Sequence, residues 1–187
     1  GVGLLHSKIG LLRQEAQTDS LTGLHNRRSF DAQLSHFIAQ RCPFAVLAID
    51  IDHFKRVNDE FGHDIGDVVL QSLAKILLDV TRDSDVVART GGEEFIVIMP
   101  RVEVKRAYQL AERLRMRISE SYIDPVGCIN VSIGISGWPI EQLNIDEVLK
   151  LADQALYQAK KTGRNRSVVN ASYGQDFATI SESPILE

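Results

Sequence analysis

Apolar residues along the chain alternate between two rhythms. Unbroken runs such as "FAVLAIDI" at 44–51 and "EFIVIMP" at 94–100 read as strands covered on both faces. "DVVART" and "INVSIGIS" add two further strands, and "RSVVN" a short closing edge strand. Between the strands the apolar positions recur at helical spacing. Asn26 is an N-cap ahead of Phe30, Leu34, Phe37 and Ile38 on one face, and Pro43 closes that helix. "HFKRVNDEFGH" is a short helix that breaks at Gly62, and "DIGDVVLQSLAKILLDV" a longer one with Val69, Leu73, Ile76, Leu77 and Val80 inward. "VEVKRAYQLAERLRMRISE" and "IDEVLKLADQALYQAKKTG" follow, the second ended by Gly163. Gly91–Gly92 is a hairpin signal between "DVVART" and "EFIVIMP".

The two ends differ from this middle. Leu5, Ile9, Leu12 and Ala16 repeat in steps of four and three, a narrow coiled-coil-like stripe too short to be stable alone. It is either a connector from an upstream domain or a helix packed on its own domain. From about Ala171 the periodicity fades, which predicts a mobile tail. The expected division is a helical linker at 1–17, one domain at 18–170 and a tail at 171–187.

Without the front helices the order is β-α-α-β-β-α-β-α-β. Its core is the split βαβ of ferredoxin-like α+β folds, with a mixed sheet of about five strands flanked by helices. In that topology the third strand lies antiparallel between the first two. Its beginning, Glu93-Glu94, then falls beside the end of the first strand, Asp50-Ile51-Asp52.

Composition narrows the function. At 44% hydrophobic and 25% charged, the 187 residues are ordinary for a globular domain. Lys and Arg total 21 against 25 acids, a net charge of −4. That argues against nucleic acid as a partner and leaves room for a local basic pocket. No run is long and apolar enough to span a membrane, and no signal peptide is visible. Cys42 and Cys128 are isolated and read as small buried hydrophobes. A cytoplasmic, reducing setting fits the domain, whether or not the whole protein is membrane-attached.

Clustered carboxylates repel unless they share cations. Hard oxygen donors suit Mg²⁺, which takes one or two protein carboxylates and fills its shell with water and phosphates. Taken alone, "DID" could be a solvated strand end and "GGEE" a plain hairpin. Converging, they favour a metal–phosphate site. His53, Phe54 and Lys55 open a helix whose free N–H groups suit phosphate. Lys160 and Arg164 close the last long helix, where they either bind phosphate or complement the helix C-terminus. No Walker "GxxxxGK[ST]" occurs, and the five histidines lack zinc spacing.

"DSLTGLHNRR", "DIDHFKRVNDEFGHDIGDVVL", "ARTGGEEF", "VSIGIS" and "ALYQAKKTGRNR", in this order and spacing, resemble the GGDEF family, the diguanylate cyclases. The resemblance covers about Thr18 to Arg166. It implies a palm-like nucleotidyl cyclase core that joins two GTP into cyclic di-GMP and two pyrophosphates, with two subunits facing each other. By the same resemblance Asp50 and Glu93, with the Ile51 carbonyl, would hold two Mg²⁺ (or Mn²⁺) ions per active site. Glu93 or Glu94 would help deprotonate the ribose 3′-OH. Asn58 and Asp67 match guanine-contacting positions, though each could equally be a helix cap. His63 lies near the substrate. His53, Phe54, Lys55, Lys160 and Arg164 match triphosphate contacts, and Arg89 a position near the phosphates. Thr90 stands where an aromatic residue is usual.

"RDSD", Arg82 to Asp85, stands where family members carry an inhibitory product site, and it also reads as a solvated turn. The resemblance therefore implies a homodimer with feedback inhibition, missing an upstream sensor or membrane domain. The competing reading is a catalytically silent module that binds GTP or cyclic di-GMP, or that only dimerises.

Overall fold

The computed structural model describes residues 2–139 and 144–174. The element order is α1 (Val2–Glu15), α2 (Arg27–Ala39), β1 (Phe44–Ile51), α3 (Phe54–Phe61), α4 (His63–Val80), β2 (Val86–Arg89), β3 (Glu94–Pro100), α5 (Val104–Glu120), β4 (Val131–Trp138), α6 (Ile145–Lys161) and β5 (Arg166–Val169). The five strands form one sheet in the order β2-β3-β1-β4-β5. β1 runs antiparallel to both β3 and β4, while β4 and β5 are parallel. This is the ferredoxin-like α+β core with a mixed sheet that the sequence order predicts.

Helices cover both faces. Ala45, Leu47, Ile49 and Ile51 point to the layer of Leu73 and Leu77 from α4 and Leu114 and Ile118 from α5. Phe44, Val46 and Ala48 point to Phe30 and Leu34 of α2 and to Val148, Ala152 and Leu156 of α6. A strand covered twice needs an unbroken apolar run, and β1 is buried along its whole length. Gly134 of β4 is demanded by this packing. A Cβ there would overlap the Ala152 carbonyl and the Leu156 amide of α6, so the glycine lets that helix lie directly on the sheet.

Several boundaries differ from the sequence reading. α2 ends at Ala39 rather than at Pro43, because Arg41 turns left-handed (φ 51°) and the Arg41 and Cys42 amides close onto Ile38 and Phe37 carbonyls. β4 starts at Val131, since the Asn130 carbonyl accepts from the Asp52 amide in a loop, and it runs on to Trp138 opposite Phe44. The cysteines are not buried: Cys42 is half-buried in the turn after α2 and Cys128 is exposed in a loop.

Leu5, Ile9 and Leu12 of α1 are 63%, 44% and 64% exposed, so the helix does not spend its stripe on its own domain. At the other end, Ala171–Tyr173 is a 3₁₀ turn and not a loose tail. The Tyr173 hydroxyl donates to the Gly137 carbonyl and accepts from the Gly137 amide, which pins the turn to β4. The rest of the predicted mobile tail, 175–187, lies outside the described residues.

Candidate active site

Asp50 continues the row Phe44, Val46, Ala48 that faces α2 and α6, so an acid stands where the strand pattern calls for an apolar side chain. It is only 4% exposed. Lys160, in the last turn of α6, meets it with Nζ 2.8 Å from Oδ2. The close seat of α6 on Gly134 allows that reach.

The glycine hairpin brings up the other acids. Glu94 opens β3 directly opposite Asp50, with its side chain exposed. Glu93, at the hairpin bend, is half-buried and hydrogen-bonded to Asp50. Burial first, then the hydrogen bond and the charge of Asp50, push the Glu93 carboxyl up to about 7; Glu94 adds to this and Lys160 opposes it. One lysine thus serves a cluster that carries a surplus of negative charge. Among the described residues no three His, Cys, Asp or Glu side chains gather as a metal cage. The Asp50 and Glu93 carboxylates and the adjacent Ile51 carbonyl are a sparse, hard-oxygen donor set, which fits a Mg²⁺-type ion that completes its shell with phosphate oxygens.

Immediately beyond, His53 is left-handed (φ 56°) and starts α3. Its carbonyl accepts from the Arg56 amide, and the His53, Phe54 and Lys55 amides have no acceptor among the described residues. Phe54 is buried and roots the helix in the core, while His53 and Lys55 are exposed.

Asn58 lies across the α3–α4 corner from Gly66, the residue before Asp67. A Cβ on Gly66 would overlap Asn58 Oδ1, so the glycine is what allows the Asn58 carboxamide to lie against α4, next to Asp67. Neither residue is a cap: α4 is preceded by Gly62 and has Asp64 in its first turn. Asp67 is exposed one turn further on, and His63 is exposed at the start of α4. The capping alternative for this pair therefore falls.

Arg164 follows α6 in a left-handed conformation (φ 62°), and its side chain is exposed. Arg89, which the resemblance places near the phosphates, is paired within the protein. Its Nε and Nη2 donate to the Gly92 carbonyl at 3.2 and 2.8 Å, and its Nη1 lies 3.2 Å from both oxygens of Asp19. Burial raises the Asp19 carboxyl, but the Thr22 hydroxyl and amide and Arg89 more than offset this and hold it below the usual carboxylate range. Arg89 thus ties the glycine hairpin to the 18–25 segment, which itself pairs with β2 through His25. The sequence gives no local sign of this link, since Asp19 and Arg89 are 70 residues apart.

Arg82 and Asp85 lie at the far end of β2. The Arg82 Nη2 and Nε are 2.7 and 3.2 Å from Asp85 Oδ1, and the Arg82 amide donates to Asp85 Oδ2 at 2.8 Å. The segment is a self-paired turn, and it also borders a groove of about 640 Å³ lined by Arg101, Arg106 and Arg113. Those three arginines could not be named from sequence because they come from another part of the chain. A larger cleft, about 1180 Å³ and floored by Phe37, Phe44 and Trp138, lies at the opposite end of β1 and contains none of the catalytic candidates.

The chain resembles known proteins along nearly its whole length. A family model described as diguanylate cyclase, GGDEF domain, matches residues 16–166. The probable diguanylate cyclase DgcT of Escherichia coli K12 is 38% identical over 188 residues, which is 96% of this chain and 40% of that protein. The response regulator PleD of Caulobacter vibrioides is 43% identical over 166 residues, 84% of this chain and 37% of PleD. The coiled coil and GGDEF domain of DgcB from Caulobacter crescentus, solved in complex with c-di-GMP, matches with TM-score 0.83 and 31% identity, covering 90% of this chain and 93% of that one. The active GGEEF domain of a Vibrio cholerae diguanylate cyclase matches with TM-score 0.72 and 38% identity, covering 78% and 96%. The chain therefore spans well under half the length of these two curated relatives. Because the family match takes in the acid-bearing strand, the glycine hairpin and the last long helix together, the chain belongs to the GGDEF-domain family, the diguanylate cyclases.

Proposed function

We propose that this chain is the catalytic part of a diguanylate cyclase that condenses two GTP into cyclic di-GMP. The observation that carries the reading is the convergence of Asp50, Glu93 and Lys160 on a rim that holds surplus negative charge. Asp50, Glu93 and the Ile51 carbonyl would hold the divalent cations, Mg²⁺ or Mn²⁺, two per site; the family's cyclases are generally metal-dependent. When bound, such ions neutralise the phosphates and favour an ionised ribose hydroxyl.

The protein's own groups do the rest. The free His53, Phe54 and Lys55 amides at the start of α3 receive triphosphate oxygens, joined by the Lys160 and Arg164 side chains. Asn58 and Asp67 bind the guanine edge, where a carboxylate accepts from N1–H and N2–H₂; adenine does not offer that pattern. His63 borders the same site. Glu93 or Glu94 takes the proton as the 3′-oxygen of one GTP bonds to the α-phosphorus of the other. The bond to the β-phosphate oxygen breaks, and pyrophosphate leaves. Each subunit holds one GTP, so two copies must face each other. The exposed stripe on α1 supports such pairing, and an upstream domain would govern it. Cyclic di-GMP would bind Arg82 and Asp85, with Arg101, Arg106 and Arg113 completing the groove, and restrain further synthesis.

The test is conversion of GTP to cyclic di-GMP by the purified protein with Mg²⁺ or Mn²⁺, over a range of protein concentrations. Product and pyrophosphate in a ratio of one to two are expected. Failure to form product at any concentration would overturn the reading.

A further inference from the structure

Two acids flank Ile51, and the chemistry above uses only Asp50. Asp52 is 9% exposed and has both oxygens engaged. Oδ1 accepts from the Ser132 hydroxyl at 2.6 Å and Oδ2 from the Asn165 amide at 2.8 Å. Ser132 is fully buried on β4, opposite Asp50 in register. Asn165 is in the turn after α6, 113 residues away in sequence.

That turn is unfavourable by itself. Arg164 and Asn165 are consecutive left-handed residues with φ of 62° and 45°, a conformation that a Cβ disfavours at each position. Such backbone persists when its surroundings over-determine it. Here the Arg164 amide donates to the Ala159 carbonyl at 2.9 Å, and Arg115 Nη1 donates to Asn165 Oδ1 at 2.9 Å. Arg115 is itself held by Glu112 of its own helix, which also accepts from Ser167. Among the described residues, Asp52 supplies the charged acceptor that reaches the Asn165 backbone from the β1 side.

We infer that Asp52 is a positioning residue: it clamps the 163–165 turn onto the end of β1 and so fixes where Arg164 and Lys160 stand relative to Asp50. The inference rests on the cyclase reading, in which those two cations receive the triphosphate. Asp52 does not touch substrate; it sets the distance between the carboxylate wall of the site and its cationic wall.

Asp52→Asn tests this with little change of volume. With its oxygen toward Ser132 the NH₂ faces the Asn165 N–H, donor against donor; with its oxygen toward Asn165 the NH₂ donates to the Ser132 hydroxyl and the Asn165 bond is no longer charge-assisted, so in either orientation the clamp is weakened. The dissociation constant of a non-reactive GTP analogue and the KM for GTP should rise about tenfold, as for a lost charge-assisted contact, with kcat much less affected. Arg164→Ala should do the same, and the double variant should fall short of the sum of the two, because Asp52 acts in part through the side chain already removed. Ser132→Ala, which leaves the Asn165 bond intact, should keep parental GTP affinity. Arg115→Ala loosens the turn from its other side, far from the carboxylates, and should give a smaller rise in KM even if Asp52→Asn folds poorly. Parental GTP affinity in both Asp52→Asn and Arg115→Ala, with only a lower melting temperature, would overturn the inference and leave the cyclase reading standing. Absence of GTP binding by the parent protein with Mg²⁺ would overturn both.

Discussion

The two charged sites at opposite ends of the β2–β3 hairpin are built on contrary principles. At the acidic rim Asp50, Glu93 and Glu94 crowd around one lysine, and Glu93 is driven up to about 7. In the far groove Arg82 and Asp85 neutralise each other, through the fork and through the Arg82 amide, and Arg82 also donates to the Pro100 carbonyl. An unbalanced, partly buried cluster is costly to keep, which is the physical ground for proposing a divalent cation there. A balanced pair costs little and is stable without any ligand, so it reveals a binding role only through the arginines around it. The charge balance of a site, more than its acid or base count, says how strongly it calls for a partner.

The largest test of this contrast is at the rim. Asp50→Asn or Glu93→Gln should lower turnover by about 10²–10³-fold, as loss of one preorganised electrostatic group does. Glu93→Gln should leave the cation-free protein no less stable, because it relieves crowding. Activity within a few-fold of the parent, or a marked loss of melting temperature in Glu93→Gln, would break the comparison.

The next effect is at the proposed guanine corner, where Asn58 depends on the absence of a side chain at Gly66. Gly66→Ala displaces the carboxamide and should weaken GTP use roughly tenfold to a hundredfold, the worth of about 1–3 kcal/mol in base recognition. Asp67→Ala, which is exposed, should do likewise with the melting temperature unchanged. Equal competition by ATP and GTP in the parent would contradict this assignment.

In the far groove the expected effects are smaller and of opposite kind. Arg82→Ala strips the fork from a buried Asp85 carboxylate, but Arg82 is half exposed, so the stability cost should be about 1 kcal/mol or less. Arg82→Ala combined with Asp85→Ala should keep the initial rate and lose cyclic di-GMP affinity. Product inhibition as strong as in the parent would reduce "RDSD" to a turn.

The smallest effect concerns α1. Its exposed stripe is too short to hold two copies firmly, so the rate per subunit should rise with protein concentration. A flat rate across a wide dilution series, with monomer throughout by sedimentation, would mean that the rim is complete within one copy.

Much of this molecule is legible along the chain. The apolar runs and helical stripes set the elements, because burial on one or two faces imposes a period on neighbouring residues. The order of the elements then predicts the sheet order, and with it the meeting of Asp50 and Glu94, which pair in register. The end of α2, by contrast, depended on Arg41 entering a left-handed turn, and the Ala171–Tyr173 turn on a phenol that reaches β4.

What only the tertiary structure decided is who partners whom. Asp19 with Arg89, Asp52 with Asn165, and Arg113 in the groove beside Asp85 are joined across long stretches of chain. A hydrogen bond between such residues imposes no period and asks only for a donor and an acceptor, which every segment has. The same holds for the glycines: Gly66 and Gly134 read as ordinary helix and strand residues until the neighbouring side chain or helix backbone occupies the space a Cβ would fill. Local pattern is set by burial, which repeats along the chain, whereas pairing is set by proximity, which only the folded chain creates.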